Sequence, residues 1–116
     1  MQKTNKDILK KVYSPRPANS KKYDYGFLLV IGGSEYYTGA PALSAMAAFR
    51  GGIDMVKILA PRRAADIIAG FSPNLSTVPF EGKWFDEEDV ALALSHEKST
   101  QAVAGNKTAV LIGGGL

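Results

Sequence analysis

The chain has 116 residues, 46% of them hydrophobic and 22% charged, which fits one compact domain and excludes intrinsic disorder and a coiled coil. Its formal charge of +3 comes from 14 Lys and Arg against 11 Asp and Glu, and the lack of cysteine rules out disulfides, thiolate metal sites and a cysteine nucleophile. No apolar run approaches the ~18 residues of a membrane span and no apolar signal segment opens the chain, so a soluble, cytoplasmic protein without membrane contact is expected.

The positive excess lies early, where Lys3, Lys6, Lys10, Lys11, Arg16, Lys21 and Lys22 stand against Asp7 alone. Such a patch attracts phosphates, but a solvated lead-in accounts for it, and no nucleic-acid role is assigned. Within it Ile8, Leu9 and Val12 fall on one face of a short predicted helix, with Thr4 or Asn5 as its N-cap. Residues 14–20 carry Pro15 and Pro17 and form a linker.

Phe27-Leu28-Leu29-Val30-Ile31, bounded by Gly26 and Gly32, is a continuous apolar run of the kind found in strands buried on both faces. Ala40 to Arg50 is rich in helix formers, with Pro41 in the tolerated first turn and Gly51-Gly52 at its end. Met55 to Leu59 reads as a second strand and Arg62 to Ala69 as a second core helix. Leu75 to Phe80 reads as a third strand, placed at an edge by Pro79. Asp86 to Asp89 open a helix running to about Leu94, and Thr108 to Ile112 form a last apolar strand. The Ala45, Met46 and Phe49 face, with Trp84 and Phe85, is expected in the core. Strands alternating with helices imply a mainly parallel sheet in a Rossmann-like three-layer α/β/α sandwich.

Two glycine-rich turns, Gly32-Gly33-Ser34 and Gly113-Gly114-Gly115, each leave the carboxyl end of an apolar strand, the edge where open α/β sheets hold ligands. Glycine admits close approach of the backbone, and the amino terminus of the Pro41 helix offers free N–H groups to an anion, with Gly39 and Ala40 adding little bulk. The same glycines also serve tight turns alone. Neither turn matches G-x-G-x-x-G or a P-loop, which disfavours a conventional NAD-binding Rossmann domain and a P-loop nucleotidase. Tyr36 and Tyr37 in the first turn either stack on a ring or cover the loop.

His96 is the only histidine and is read as a solvated helix end. Asp86, Glu87, Glu88 and Asp89 suit the first turn of a helix better than a metal, so no metal site is assigned. Asp24 and Asp54 lie beside strands and are open to chemistry or to capping.

Residues 20–26, 28–34 and 37–43 closely resemble the opening of the NAD(P)H-hydrate dehydratase family, of the ribokinase-like superfamily. Ala47-Ala48-Phe49-Arg50-Gly51-Gly52, Pro73-Asn74-Leu75 and Leu111-Ile112-Gly113-Gly114-Gly115-Leu116 follow in that family's order. The resemblance implies that residues 1–116 form a single partial domain, the amino-terminal portion of a ribokinase-like fold. It implies removal of water from hydrated NADH or NADPH, driven by ADP or ATP with Mg2+, in a homo-oligomer or in association with the rest of the fold. It places Gly39, Ala40, Gly113 and Gly115 at the hydrated dinucleotide, with Ala40 and Gly115 lining the site and Gly39 and Gly113 shaping the turns.

The family's usual His-Lys-Gly-Asp-Tyr-Gly is here Lys21-Lys22-Tyr23-Asp24-Tyr25-Gly26, and its Gly-Pro-Gly-Leu is Gly113-Gly114-Gly115-Leu116, which should loosen the second turn. The family's later segment, which carries its catalytic aspartate, has no counterpart here, so no catalytic residue is assigned and the chain alone is expected to be inactive. The competing readings are a ribokinase-like kinase of a vitamin or sugar, and a non-catalytic binding or assembly module that uses an unpaired strand.

Overall fold

The computed structural model describes residues 3–116. Strands β1 (Phe27–Ile31), β2 (Met55–Pro61), β3 (Ser76–Phe80) and β4 (Thr108–Ile112) form one parallel sheet in the order β3-β2-β1-β4. Phe27 stands between Met55 and Thr108, so β1 is interior as its unbroken apolar run requires, and β3 with Pro79 takes an edge.

Helices α2 (Gly39–Arg50) and α3 (Arg62–Ala69) cover one face of the sheet, and α4 (Val90–Ala104) covers the other. The pleat sorts the strands between two cores. Val30, Val56, Ile58 and Ala60 meet Ala42, Ala45, Ala64, Ala65 and Ile68 on the first face, whereas Leu29, Ile31, Leu59 and Phe80 meet Ala93 on the second. Alanine dominates the buried sides of α2 and α3, which lets both helices lie close to the strands. The expected three-layer α/β/α sandwich is present.

Four expectations need correction. Helix α1 (Asp7–Val12) forms, but its N-cap is Lys6 and not Thr4 or Asn5; the Asn5 side chain accepts from the Asp7 amide at 3.0 Å, and the shared face of Ile8, Leu9 and Val12 is exposed. Helix α4 runs ten residues past Leu94, to Ala104. Its polar stretch is tolerated because the hydroxyls of Ser95, Ser99 and Thr100 donate to carbonyls three residues back at 2.7 to 2.8 Å. Trp84 and Met46 are not core residues: Trp84 stands in the exposed turn after β3, and Met46 points from the outer side of α2. His96 lies within α4 rather than at its end.

The chain before β1 is strapped to the amino end of the sheet. Arg16 donates to the Asp54 carboxylate at 2.8 Å and to the Gly52 carbonyl, and its guanidinium lies 4.0 Å from the centroid of the Tyr25 ring. The Tyr25 amide donates to the other Asp54 oxygen at 2.8 Å. Tyr23 holds a φ of +78°, in the left-handed region that side chains avoid. Its ring stacks on Phe27 with centroids 5.8 Å apart, which offsets the strain.

Candidate functional site at the reversal in strand order

The chain lays β1, β2 and β3 outward in one direction and returns to place β4 on the other side of β1. The carboxyl edge between these two strands, at the reversal in strand order, is the crevice where open α/β sheets bind ligands. Both glycine turns stand there.

The turns are joined. The Gly113 amide donates to the Ile31 carbonyl at 3.0 Å and the Gly33 amide to the Gly114 carbonyl at 3.1 Å, which continues the parallel ladder beyond the strands. The expected looseness of the second turn is thus opposed by two backbone hydrogen bonds. Gly113, Gly114 and Gly115 have φ of +129°, +70° and +92°, and a proline at position 114 could not take this path.

A methyl group on Gly115 would stand 2.9 Å from Tyr37 Cβ, one on Gly114 would stand 3.3 Å from Ala40 Cβ, and one on Gly32 would collide with the Gly113 carbonyl. Close contact of turn on turn is therefore a packing requirement at Gly32 and Gly115. Gly39 and Gly113 differ, because a methyl at either meets no atom within 4 Å. These two glycines border open space at the crevice, while Ala40 and Gly115 are half-buried beside it.

Helix α2 begins at Gly39, and no side chain caps its first turn. Its free amides and the positive end of its dipole form an anion-receptive end beside the turns. Ser34, fully buried in the first turn, donates its amide to the Tyr37 carbonyl at 2.9 Å, while its hydroxyl has no hydrogen-bond partner among the described residues. The sequence Gly32-Gly33-Ser34 marks Ser34 as a turn residue, but nothing in it signals an unpartnered hydroxyl.

The acid–base candidates lie elsewhere. Asp24 accepts from the Lys21 amide at 2.7 Å as a turn residue, and Asp54 receives Arg16 and Tyr25, both at the amino end of the sheet. A concavity of about 500 Å³ also opens at that end, between the strap and Lys107. It reflects how the strap lies over the sheet, and it is remote from the glycine turns.

His96 Nδ1 is 3.3 Å from Lys57 Nζ on β2. An ammonium only donates, so Nδ1 is the acceptor. Burial, and secondly the Lys57 charge, hold the imidazole below its ordinary range. Asp86 accepts from the Glu88 amide at 2.9 Å and its own amide donates to Asp89 at 3.2 Å, which is the capping use of this acidic run. No three His, Asp or Glu side chains converge among the described residues.

The family model of the NAD(P)H-hydrate dehydratases matches residues 28–116. The chain is 40% identical over 101 residues to a bifunctional NAD(P)H-hydrate repair enzyme of Pyrobaculum aerophilum, covering 87% of this chain and 19% of that protein. It is 45% identical over 80 residues to an ATP-dependent (S)-NAD(P)H-hydrate dehydratase of Phaeosphaeria nodorum, covering 66% and 25%. It is 40% identical over 72 residues to an ADP-dependent enzyme of the same name from Nitrosopumilus maritimus, covering 62% and 25%. The chain thus spans about a fifth to a quarter of the length of these relatives. The fold matches a hypothetical protein from Streptococcus mutans, with a TM-score of 0.72 at 24% identity, over 97% of this chain and 36% of that one. A ribokinase-like superfamily protein from Enterococcus faecalis matches with a TM-score of 0.63 at 21% identity, over 92% and 43%.

Proposed function

The chain belongs to the NAD(P)H-hydrate dehydratase family, and on that footing we propose that it forms the dinucleotide-facing edge of an ADP- or ATP-dependent dehydratase that repairs hydrated NADH and NADPH. The observation that carries this reading is the joining of the two glycine turns, beside the uncapped start of α2, at the reversal in strand order. In this reading Ala40 and Gly115 line the hydrated dinucleotide, while Gly39 and Gly113 leave room for it. The α2 amides receive its phosphates.

The residues present suit the phosphates better than they suit a metal. No carboxylate cage forms among the described residues, so Mg2+ would enter on the oxygens of the nucleotide. When bound, ADP or ATP supplies the phosphoryl group that turns the hydroxyl of the hydrate into a leaving group. The residues of this chain hold and orient the substrate.

Removal of water also needs a base and a phosphate-binding clamp. Asp24, Asp54 and His96 lie away from the crevice, so the chain alone turns over no hydrate in this reading. It works in association, as a homo-oligomer or with the remainder of the ribokinase-like fold along β4, in the cytoplasm. The bare edge of β4 supports this: Val110 and Leu111 are each 43% exposed and Ile112 63%.

Hydrated NADH, mixed with ADP or ATP and Mg2+, is the test, followed through the near-ultraviolet absorbance that NADH has and its hydrate lacks. The 116-residue chain should give no signal, and the chain joined to the later segment of a relative should restore it. Turnover by the chain alone would contradict the incompleteness. Failure of the joined protein with both nucleotides would contradict the dehydratase reading.

A further inference from the structure

Trp84, the only tryptophan of the chain, is 48% exposed in the turn after β3, and Tyr36, 70% exposed, faces it from the turn after β1. Their ring centroids are 5.8 Å apart with planes at 56°, so the rings meet as an open corner and neither hides the other. Single exposed aromatic residues are ordinary. Two that meet at the ligand-binding edge of a parallel sheet are not scattered in that sense.

The corner is fastened. The Glu35 amide donates to the Lys83 carbonyl at 2.8 Å, and the Arg63 guanidinium donates to the Glu35 carbonyl at 2.7 Å. These bonds bring the residues just before Tyr36 and Trp84 together and tie both to α3. The corner is also continuous with the glycine turns, because the neighbour of Tyr36 is Tyr37, whose Cβ abuts Gly115. A rigid surface thus runs from an anion-receptive helix start, past two glycine turns, to a pair of exposed π faces. Phosphate-binding amides at one end and flat aromatic faces at the other match the two ends of a nucleotide.

We propose that Tyr36 and Trp84 form a stacking platform for the planar heterocycle of a nucleotide whose phosphates lie toward Gly39 and Gly113. The assignment rests on reading the switch-point edge as a nucleotide site, and its chemistry is shared by two sources: the adenine of ADP or ATP, and a ring of the hydrated dinucleotide.

The experiment titrates the 116-residue chain with ADP, nicotinamide mononucleotide, hydrated NADH and, as a control without a heterocyclic base, ribose 5-phosphate, following the emission of Trp84. Base-bearing ligands should quench it saturably and ribose 5-phosphate should not. Tyr36→Ala should weaken binding about tenfold, the scale of one base stacked on one aromatic residue, and Tyr36→Phe should leave it near the parent value. Trp84→Ala, read by calorimetry with circular dichroism as a check of folding, should weaken it comparably, and Trp84→Phe less. Whether the variants lose ADP or nicotinamide mononucleotide identifies the source of the ring.

Unchanged emission with every base-bearing ligand up to millimolar concentration overturns the proposal, as does parental affinity in folded Tyr36→Ala and Trp84→Ala. The two readings fail separately. Loss of ADP affinity in the variants, without hydrate turnover by the joined protein, retains the platform and sinks the dehydratase; full turnover by the joined protein carrying both variants does the reverse.

Discussion

The amide of Gly33 donates to the carbonyl of Gly114 at 3.1 Å, so the turns that leave β1 and β4 are tied to each other through the backbone. A side chain at Gly32 would strike the Gly113 carbonyl, whereas one at Gly39 would meet nothing within 4 Å. Gly32→Ala should therefore cost about 1–3 kcal/mol, the usual scale of forced overpacking. Gly39→Ala should leave stability within about 0.5 kcal/mol of the parent or slightly improve it, while narrowing the approach to the α2 amides. Urea denaturation separates the two, and a nucleotide titration should find binding weakened in both.

Tyr23 offers a different balance, because its φ is +78°, a conformation that glycine takes without steric cost. Tyr23→Gly should relieve the strain and lose the Phe27 stack, with a net effect near zero. Tyr23→Ala should keep the strain and lose the stack, costing about 1–2 kcal/mol. Melting temperatures should rank parent and Tyr23→Gly together above Tyr23→Ala; the reverse order for the two variants would contradict the strain.

The ion pair of Arg16 with Asp54 is half-exposed on the arginine side, with side-chain exposures of 46% and 11%. Its loss in Arg16→Ala should cost about 1 kcal/mol in global stability, after allowance for solvent screening. The larger effect should be local. Limited proteolysis should cut the segment before Tyr25 faster in the variant and leave β1 onward unchanged.

Acid should weaken the fold through His96. Its imidazole is held below the ordinary range by burial first and Lys57 second, so the unfolded chain binds this proton more readily than the folded one. The stabilisation is complete above the unfolded pKa, about 6.5, and is lost as pH falls from there through the lowered folded value. Urea midpoints measured through that window should fall in the parent and fall less in His96→Gln, which carries the same carboxylates.

Association should respond to charge on the bare strand. Leu111 is 43% exposed on β4 and belongs to neither buried cluster, so Leu111→Lys should disturb folding little. It should shift sedimentation toward the monomer, as charged residues do on natural sheet edges. Unchanged mass in the variant would place the contact elsewhere.

Strand positions were legible because β1 is an unbroken apolar run between Gly26 and Gly32 and β2 is an apolar run interrupted only by Lys57, and such runs leave few alternatives for a chain this short. The length of α4 was not: Ser95, Ser99 and Thr100 break the apolar period, and only the local hydroxyl-to-carbonyl bonds show how the helix absorbs them. The fate of Ile8, Leu9 and Val12 was hidden for another reason, since periodicity states that a face exists and not what covers it. At the site, the glycines were visible as turn residues. Their mutual hydrogen bonds and the corner of Tyr36 and Trp84 depend on pairings across the whole chain, which no local pattern encodes.

The return of the chain to pair β4 with β1 also sets an order in time. The β1, α2, β2, α3 and β3 segments pair with sequence neighbours, while Phe27 must wait for Thr108. Non-local pairing is slow because loop closure precedes any gain from contact. On the ribosome the first three strands and two helices can dock early, leaving one side of β1 open to solvent until the β4 segment emerges. The crevice between the glycine turns should thus be the last part of the chain to assemble, and hydrogen exchange during refolding should show β4 amides gaining protection after those of β2.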